Sequence, residues 1–233
     1  MNKKIWLIAV LAIILLIALI TIYFKFIKGD NPFSQKAIDS PSSSQATPSV
    51  TPTSVFDPKY GLTYPMSNFK SRVWLNGFGN NPSKTINRND YSDYICTGQT
   101  MKDGLHTAVD AEVSREEINE DIPVYSIADG EVRQAQEVSG YGGLIIIQYN
   151  IQGADYTALY GHLNSKTFSA KEGSKVTKGE KLALLGAECS SENGNVRKHL
   201  HFGIHKGTAI DIKGYVANTI ALSSWLDPFQ LYS

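Results

Sequence analysis

The feature that most restricts how this chain can fold is an uncharged, almost wholly apolar run over residues 5–24. A helix of that length rises about 30 Å, which matches the hydrocarbon core of a bilayer. A cleaved secretory signal is the alternative, but no small-x-small cleavage site follows the run. We therefore predict that residues 1–33 form a retained membrane anchor with a single transmembrane helix.

The composition changes after this run. Residues 34–56 are rich in Ser, Thr and Pro. Such a segment cannot bury enough apolar surface to fold, and a structureless loop of this length is uncommon inside a domain. We interpret residues 34–56 as an extended linker and residues 57–233 as one folded domain.

Charge and cysteine content exclude several classes of protein. The chain has 22 basic and 22 acidic residues, so no overall basic field favours nucleic acid as a partner. Its two cysteines, Cys96 and Cys189, are too few for a small disulfide-stapled fold or a Cys-rich zinc finger. Export would permit a disulfide between them, and the sequence leaves that open. We expect a monomer that binds no nucleic acid.

From residue 57 onward the apolar runs are short, and no amphipathic pattern predicts a helix longer than three turns. Strands are predicted over residues 123–128, 131–136, 144–149, 155–160, 182–185 and 199–205. Asp-Gly at 129–130 and Gln-Gly at 152–153 are typical of turns between them. The predicted fold is mainly β, with stacked antiparallel sheets.

Four of the five histidines lie in three short motifs: His106-Thr-Ala-Val-Asp110, Tyr160-Gly-His162-Leu163 and His199-Leu-His201. On a strand, residues two apart point to the same face, so His199 and His201 share a face. A catalytic zinc site usually has three His or carboxylate ligands and one open position. His106, Asp110 and one histidine of the His199/His201 pair can form such a set, and the other two histidines can move protons or stabilise an oxyanion. Each motif alone has a structural alternative, but their combination favours a metal site.

In these motifs the sequence resembles the lysostaphin-type or LytM-type metallopeptidases, peptidase family M23, from about residue 64 to residue 207, and we expect the resemblance to extend to residue 232. The order of the motifs carries the resemblance, since the histidine motifs are interleaved with three further ones. These are PVYSIADGEV from Pro123, GYGGLIII from Gly140 and VTKGEKLALLG from Val176.

The resemblance implies a zinc-dependent peptidase that cleaves cross-bridge or stem peptides of peptidoglycan. Zinc would be bound by His106, Asp110 and His201, with His162 and His199 as the catalytic pair. The implied fold is a β-rich groove built on a duplicated hybrid motif. The implied location is the outer side of the cell membrane, to which the N-terminal helix holds the peptidase domain.

Two other functions compete with this interpretation. A non-catalytic relative that binds cell wall or regulates another enzyme would typically lack zinc ligands, whereas this chain retains them. A lipoyl-like carrier domain is suggested by VTKGEKLALLG, but the chain has no Met-Lys-Met-like lysine turn.

The sequence departs from the family pattern at two places. Ala108 stands where the family often has Gly, and Arg197-Lys198 stand where a Gly-Pro usually precedes the last motif. The second departure puts the substrate preference in doubt. Residues 112–120, rich in acidic side chains, are interpreted as a solvated loop, with a place near the site as the alternative.

Three further side chains receive weaker assignments. His205 is predicted to be structural or to line the groove, because a straight strand would place it roughly 13 Å from His201. Tyr141 and Tyr160 are predicted either to line the groove or to pack in the core.

Overall fold

Residues 60–73, 75–85, 96 and 102–232 are described by the computed structural model. The predicted anchor and linker lie outside these residues, so both stay predictions. Within the described part of the chain, no helix has the length and apolar character needed to span a bilayer.

Strands dominate the described residues. In chain order they are β1 Leu105–His106, β2 Ala108–Glu112, β3 Pro123–Tyr125, β4 Gly130–Val138, β5 Gly142–Ile151, β6 Ala154–Leu163, β7 Lys175–Val176, β8 Lys181–Leu184, β9 His199–Lys206, β10 Tyr215–Val216 and β11 Trp225–Leu226. The α-helices among these residues are single turns: α1 Phe69–Arg72, α2 Pro82–Thr85 and α3 Thr219–Leu222. The paired strands run antiparallel, so the prediction of a mainly β fold with antiparallel sheets is confirmed.

The main sheet has the strand order β11-β9-β6-β5-β4-β7, and β2 also pairs with β9. Strand β9 bonds to β6 along one edge, so β2 and β11 share its other edge. Two small sheets, β1-β10 and β3-β8, complete the described topology.

The hairpin of β5 and β6 forms the centre of the main sheet. Gln152 and Gly153 connect the two strands with φ angles of 55° and 82°, the positive values that a two-residue type I′ turn requires. Ile145 and Ile147 on β5 pack into the main core, whereas Leu144 and Ile146 pack into a smaller cluster with Leu159. Burial on both faces explains the continuous apolar run of β5.

Strand β9 separates the core from the candidate site. Leu200, Phe202 and Ile204 are buried in the main core. His199 and His201 alternate with them and therefore point to the other face. The alternation predicted for this strand is present in the structure.

The segment before β1 packs against the strands that carry the first motif. The ring of Phe69 meets that of Phe202 edge-on, with centroids 5.6 Å apart. The Asp110 amide donates to the Asn76 carbonyl at 3.0 Å. Cys96 forms a disulfide with Cys189, so the pairing that the sequence left open is present and joins this segment to the loop after β8.

Candidate metal centre

Four strands bring the five predicted site residues together. His106 comes from β1, Asp110 from β2, His162 from β6, and His199 and His201 from β9. Asp110 lies opposite His201 in the β2-β9 register, and Gly161 lies opposite His201 in the β6-β9 register. All five side chains are buried, with 0–6% of their surface exposed.

A β-bulge turns His162 into the site. Gly143 pairs with Leu163 but Ile145 pairs with Tyr160, so the register shifts between them. His162 has a φ of 65°, in the left-handed region that side chains other than Gly rarely adopt. Tyr160 and Leu163 both face the main core. The extra residue thus allows His162 to leave the core face.

Three ligand atoms converge on one point. His106 Nε2 lies 3.2 Å from His201 Nδ1. Asp110 Oδ1 lies 3.3 Å from His106 Nε2 and 3.1 Å from His201 Nδ1. Ligands of a tetrahedral zinc ion, with bonds of roughly 2.0–2.1 Å, are separated by about 3.3 Å. The three side chains therefore fit a zinc ion and leave the fourth position open.

Hydrogen bonds fix which ring nitrogen faces this point. His106 Nδ1 lies 3.2 Å from the Gly77 carbonyl, which can only accept, so Nδ1 carries the proton and Nε2 the lone pair. His201 Nε2 lies 3.4 Å from the Tyr141 hydroxyl, which itself donates to the Ile212 carbonyl at 3.0 Å. His201 Nε2 then donates to Tyr141 and leaves the lone pair on Nδ1. Two lone pairs and a carboxylate oxygen repel one another unless a cation lies between them.

His162 and His199 stand beside this set with their rings 4.4 Å apart. His162 Nδ1 donates to the Asn193 carbonyl and His199 Nδ1 to the Arg197 carbonyl, each at 2.8 Å. Burial lowers the pKa of His162 to about 3 and that of His199 well below its usual value. Both rings are therefore neutral at pH 7, and each has an Nε2 lone pair that can accept a proton.

The second oxygen of Asp110 has its own partners. Oδ2 accepts from Asn76 Nδ2 and from Arg197 Nη2, each at 2.8 Å. Burial raises the pKa of Asp110, but interactions with neighbouring groups outweigh that effect and hold the pKa well below its usual value. Asp110 is therefore an ionised carboxylate with one oxygen directed at the histidines.

The interpretation of residues 112–120 as a solvated loop is wrong for Glu112. This residue ends β2, two positions after Asp110, and is buried on the same side as Asp110. Burial raises its pKa to about 7, and the guanidinium of Arg197 opposes that rise. Glu116 and Glu120 are exposed, as predicted.

The structure places Tyr141, Tyr160 and His205 in three different environments. Tyr141 lines a cavity of about 240 Å³ together with Asp110, His162, His199 and His201. Tyr160 is fully buried in the main core. His205 packs edge-on against Trp225, with ring centroids 5.0 Å apart, and among the described residues it is not part of the clustered metal-ligand set.

Sequence reasoning missed the residues that hold the ligands in place. Asn76 and Gly77 belong to a segment with no recognisable motif, and only the folded chain brings them to Asp110 and His106. Glu112 could have been found, because residue i+2 of a strand shares the face of Asp110. Arg197 was noticed in the sequence only because Arg197-Lys198 stand where the family pattern usually has a Gly-Pro.

The comparison with models of protein families agrees with the motifs. The model of peptidase family M23 matches residues 104–212. The catalytic domain of the antimicrobial peptidase lysostaphin from Staphylococcus simulans is 23% identical, with 60% of this chain and 87% of that chain covered and a TM-score of 0.42. A zinc-containing peptidase from Vibrio cholerae is 25% identical, with 64% and 42% covered and a TM-score of 0.40. Among curated protein sequences, none matches this chain significantly.

Proposed function

Because residues 104–212 of this chain belong to peptidase family M23, we propose that the chain is a zinc metalloendopeptidase that hydrolyses peptide bonds in peptidoglycan. The observation that carries the proposal is the convergence of His106 Nε2, Asp110 Oδ1 and His201 Nδ1, each within 3.1–3.3 Å of the other two. The substrate class, the peptides of cross-bridges or stems, rests on the family alone.

The three ligands suit a catalytic rather than a purely structural ion. Structural zinc sites are usually closed by four protein ligands, whereas here three protein atoms converge beside a cavity. When bound, zinc activates water and polarises a substrate carbonyl at neutral pH. His106, Asp110 and His201 would hold the ion, with Asp110 supplying one negative charge.

His162 and His199 would handle the proton. Their Nδ1 atoms donate to main-chain carbonyls, so each ring presents a neutral Nε2 towards the cavity. A neutral imidazole can accept the proton of the attacking water and, once charged, can donate to the oxyanion or the leaving amine. Two neutral rings also avoid repelling a divalent cation.

The first test separates ligands from catalytic residues. Full-length protein in detergent would be incubated with purified peptidoglycan, and released fragments would be identified by mass spectrometry alongside zinc content. His106→Ala should lose both zinc and activity, because one ligand of three is gone. His162→Ala should keep zinc and lose activity at least about 100-fold, the usual contribution of a proton-transfer group.

His205→Ala is the matched control, because His205 lies on the same strand as His201 but packs against Trp225. It should retain both zinc and hydrolysis. Stoichiometric zinc in folded His106→Ala would refute the ligand assignment. Zinc-loaded wild-type protein that releases no fragments would favour the non-catalytic wall-binding alternative.

We further propose that residues 5–24 anchor the enzyme in the cell membrane with the peptidase domain outside the cytoplasm. The apolar run supports the anchor, and the Cys96–Cys189 disulfide supports an oxidising compartment. Cell fractionation with external protease treatment tests this, since a peptidase domain protected in intact spheroplasts would contradict it.

A further inference from the structure

Arg197 is a buried arginine at the edge of the candidate metal centre. It is 4% exposed and lies two residues before His199, in the loop that leads into β9. Lys198 is the one residue between Arg197 and the last histidine motif, His199-Leu-His201.

The guanidinium of Arg197 joins two carboxylates of β2. Nη2 lies 2.8 Å from Asp110 Oδ2 and 2.8 Å from Glu112 Oε1, while Nε lies 2.9 Å from Glu112 Oε2. The planar guanidinium thus grips Glu112 through both of its oxygens and extends one further N–H to Asp110. Such paired contacts fix direction as well as distance.

Because of these contacts, the two oxygens of Asp110 have different partners. Oδ2 is taken by Arg197 Nη2 and Asn76 Nδ2. Oδ1 lies 3.1–3.5 Å from nitrogen atoms of His201, His106 and His199. Because Oδ2 accepts these two buried hydrogen bonds, rotation of the carboxylate away from the histidines would break both of them.

The carboxylate of Glu112 offsets the positive charge that Arg197 places beside the proposed metal site. A lone guanidinium one ligand away from a divalent cation would repel it. Glu112 accepts from Arg197 with both oxygens, so the pair carries no net charge when Glu112 is ionised. The pair can then orient Asp110 without adding net positive charge beside the metal.

We propose that Arg197, anchored by Glu112, is a positioning residue that fixes Asp110 as a one-oxygen ligand of the metal. The proposal rests on the proposed zinc site and adds to it a pair of residues from outside the ligand set. Hydrogen-bond partners of metal ligands typically change metal affinity 10–100-fold when they are replaced.

The test variant is Arg197→Lys in the full-length protein. Lysine keeps the positive charge but loses the planar fork, so it cannot hold Glu112 and Asp110 together. The zinc dissociation constant would be measured by chelator competition, and the visible spectrum of the cobalt-substituted protein would report the ligand geometry. We expect zinc to bind about 10–100-fold more weakly and the cobalt bands to shift.

Arg72→Lys is the matched control. Arg72 makes the same kind of fork to Glu117, with Nη1 2.7 Å and Nη2 2.6 Å from the carboxylate oxygens. Its Nη1 also donates to the main-chain carbonyl of Glu112 at 3.1 Å, but these contacts involve neither the Glu112 nor the Asp110 carboxylate. Its zinc affinity should stay within about twofold of wild type. A loss of zinc affinity in both variants would mean that general destabilisation, not positioning, is measured.

The remaining outcomes are distinguishable. If wild type binds no zinc, the proposed function itself fails. If wild type binds zinc tightly and Arg197→Lys binds it equally, with an unchanged cobalt spectrum, only the positioning role is overturned. Should circular dichroism show that Arg197→Lys does not fold, Glu112→Gln replaces it. That variant leaves Arg197 without its balancing charge and should also weaken zinc binding, and an unchanged dissociation constant would overturn the proposal.

Discussion

At the scale of single residues, the site depends on where each histidine proton is held. The carbonyls of Gly77, Asn193 and Arg197 each accept from a ring nitrogen and so direct the other nitrogen of that ring inward. Main-chain carbonyls cannot rotate independently of the fold, so they hold these rings more firmly than flexible side chains would.

For His201, the acceptor for the outer ring nitrogen is the Tyr141 hydroxyl rather than a main-chain carbonyl, and a single substitution removes that hydroxyl. Tyr141→Phe deletes only the hydroxyl, which lies 3.4 Å from His201 Nε2 and 3.0 Å from the Ile212 carbonyl. Burial raises the pKa of this phenol, so the group stays protonated and keeps donating to Ile212. We expect zinc affinity to fall about tenfold, as for other partners of metal ligands, in a chelator competition assay.

Tyr149→Phe is the control for Tyr141→Phe, because it also removes only a hydroxyl group. Its hydroxyl lies 2.7 Å from Ser126 Oγ and 2.8 Å from the Tyr160 hydroxyl, within the core. It should lower the free energy of unfolding by about 1 kcal/mol and leave zinc affinity unchanged. Wild-type zinc affinity in Tyr141→Phe would show that His201 needs no such partner.

At the scale of elements, two departures from regular structure build the site. The bulge in β6 turns His162 away from the core face, and the absent side chain of Gly161 leaves room for its neighbours. A Cβ at Gly161 would lie 2.6 Å from the Tyr141 ring and 3.4 Å from His201 Cβ. Regular alternation along β6 would have left His162 on the core face with Tyr160.

The loop after β2 is tied to α1 by the Arg72–Glu117 pair, and this tie should depend on pH. The Arg72 hydrogen bond is the main cause that lowers the pKa of Glu117 from 4.5 to about 2. A lowered pKa in the folded state means that the stabilisation is fully present above about pH 4.5 and is lost as the pH falls towards 2. Because Glu117 is partly exposed, the pair is worth about 1 kcal/mol at most.

Urea unfolding of metal-free protein checks this expectation. Glu117→Gln should be less stable than wild type at pH 7, and the difference should shrink steadily as the pH falls below 4.5. Glu131→Gln, at an exposed position of β4, is the control for the loss of a carboxylate that is not part of the Arg72–Glu117 pair. A difference between Glu117→Gln and wild type that stays constant from pH 7 to pH 3 would contradict the assignment.

At the scale of the whole molecule, periodicity predicted the strands and the motifs predicted the cluster. The alternation of His199-Leu-His201-Phe was enough to separate the site face from the core face, and turn residues located the β5-β6 hairpin. Contacts between distant segments could not be predicted from the sequence. Nothing in the sequence around Asn76 or Arg197 shows that both reach the same oxygen of Asp110, because only tertiary packing brings them there.

The central claim is that one metal ion joins three strands through His106, Asp110 and His201. The most direct measurement is anomalous X-ray diffraction, at energies on both sides of the zinc edge, from crystals grown with zinc. The account predicts one strong peak at about 2.0–2.2 Å from His106 Nε2, Asp110 Oδ1 and His201 Nδ1. A map from such crystals with no peak between these three atoms, or with the zinc bound only elsewhere, would contradict it.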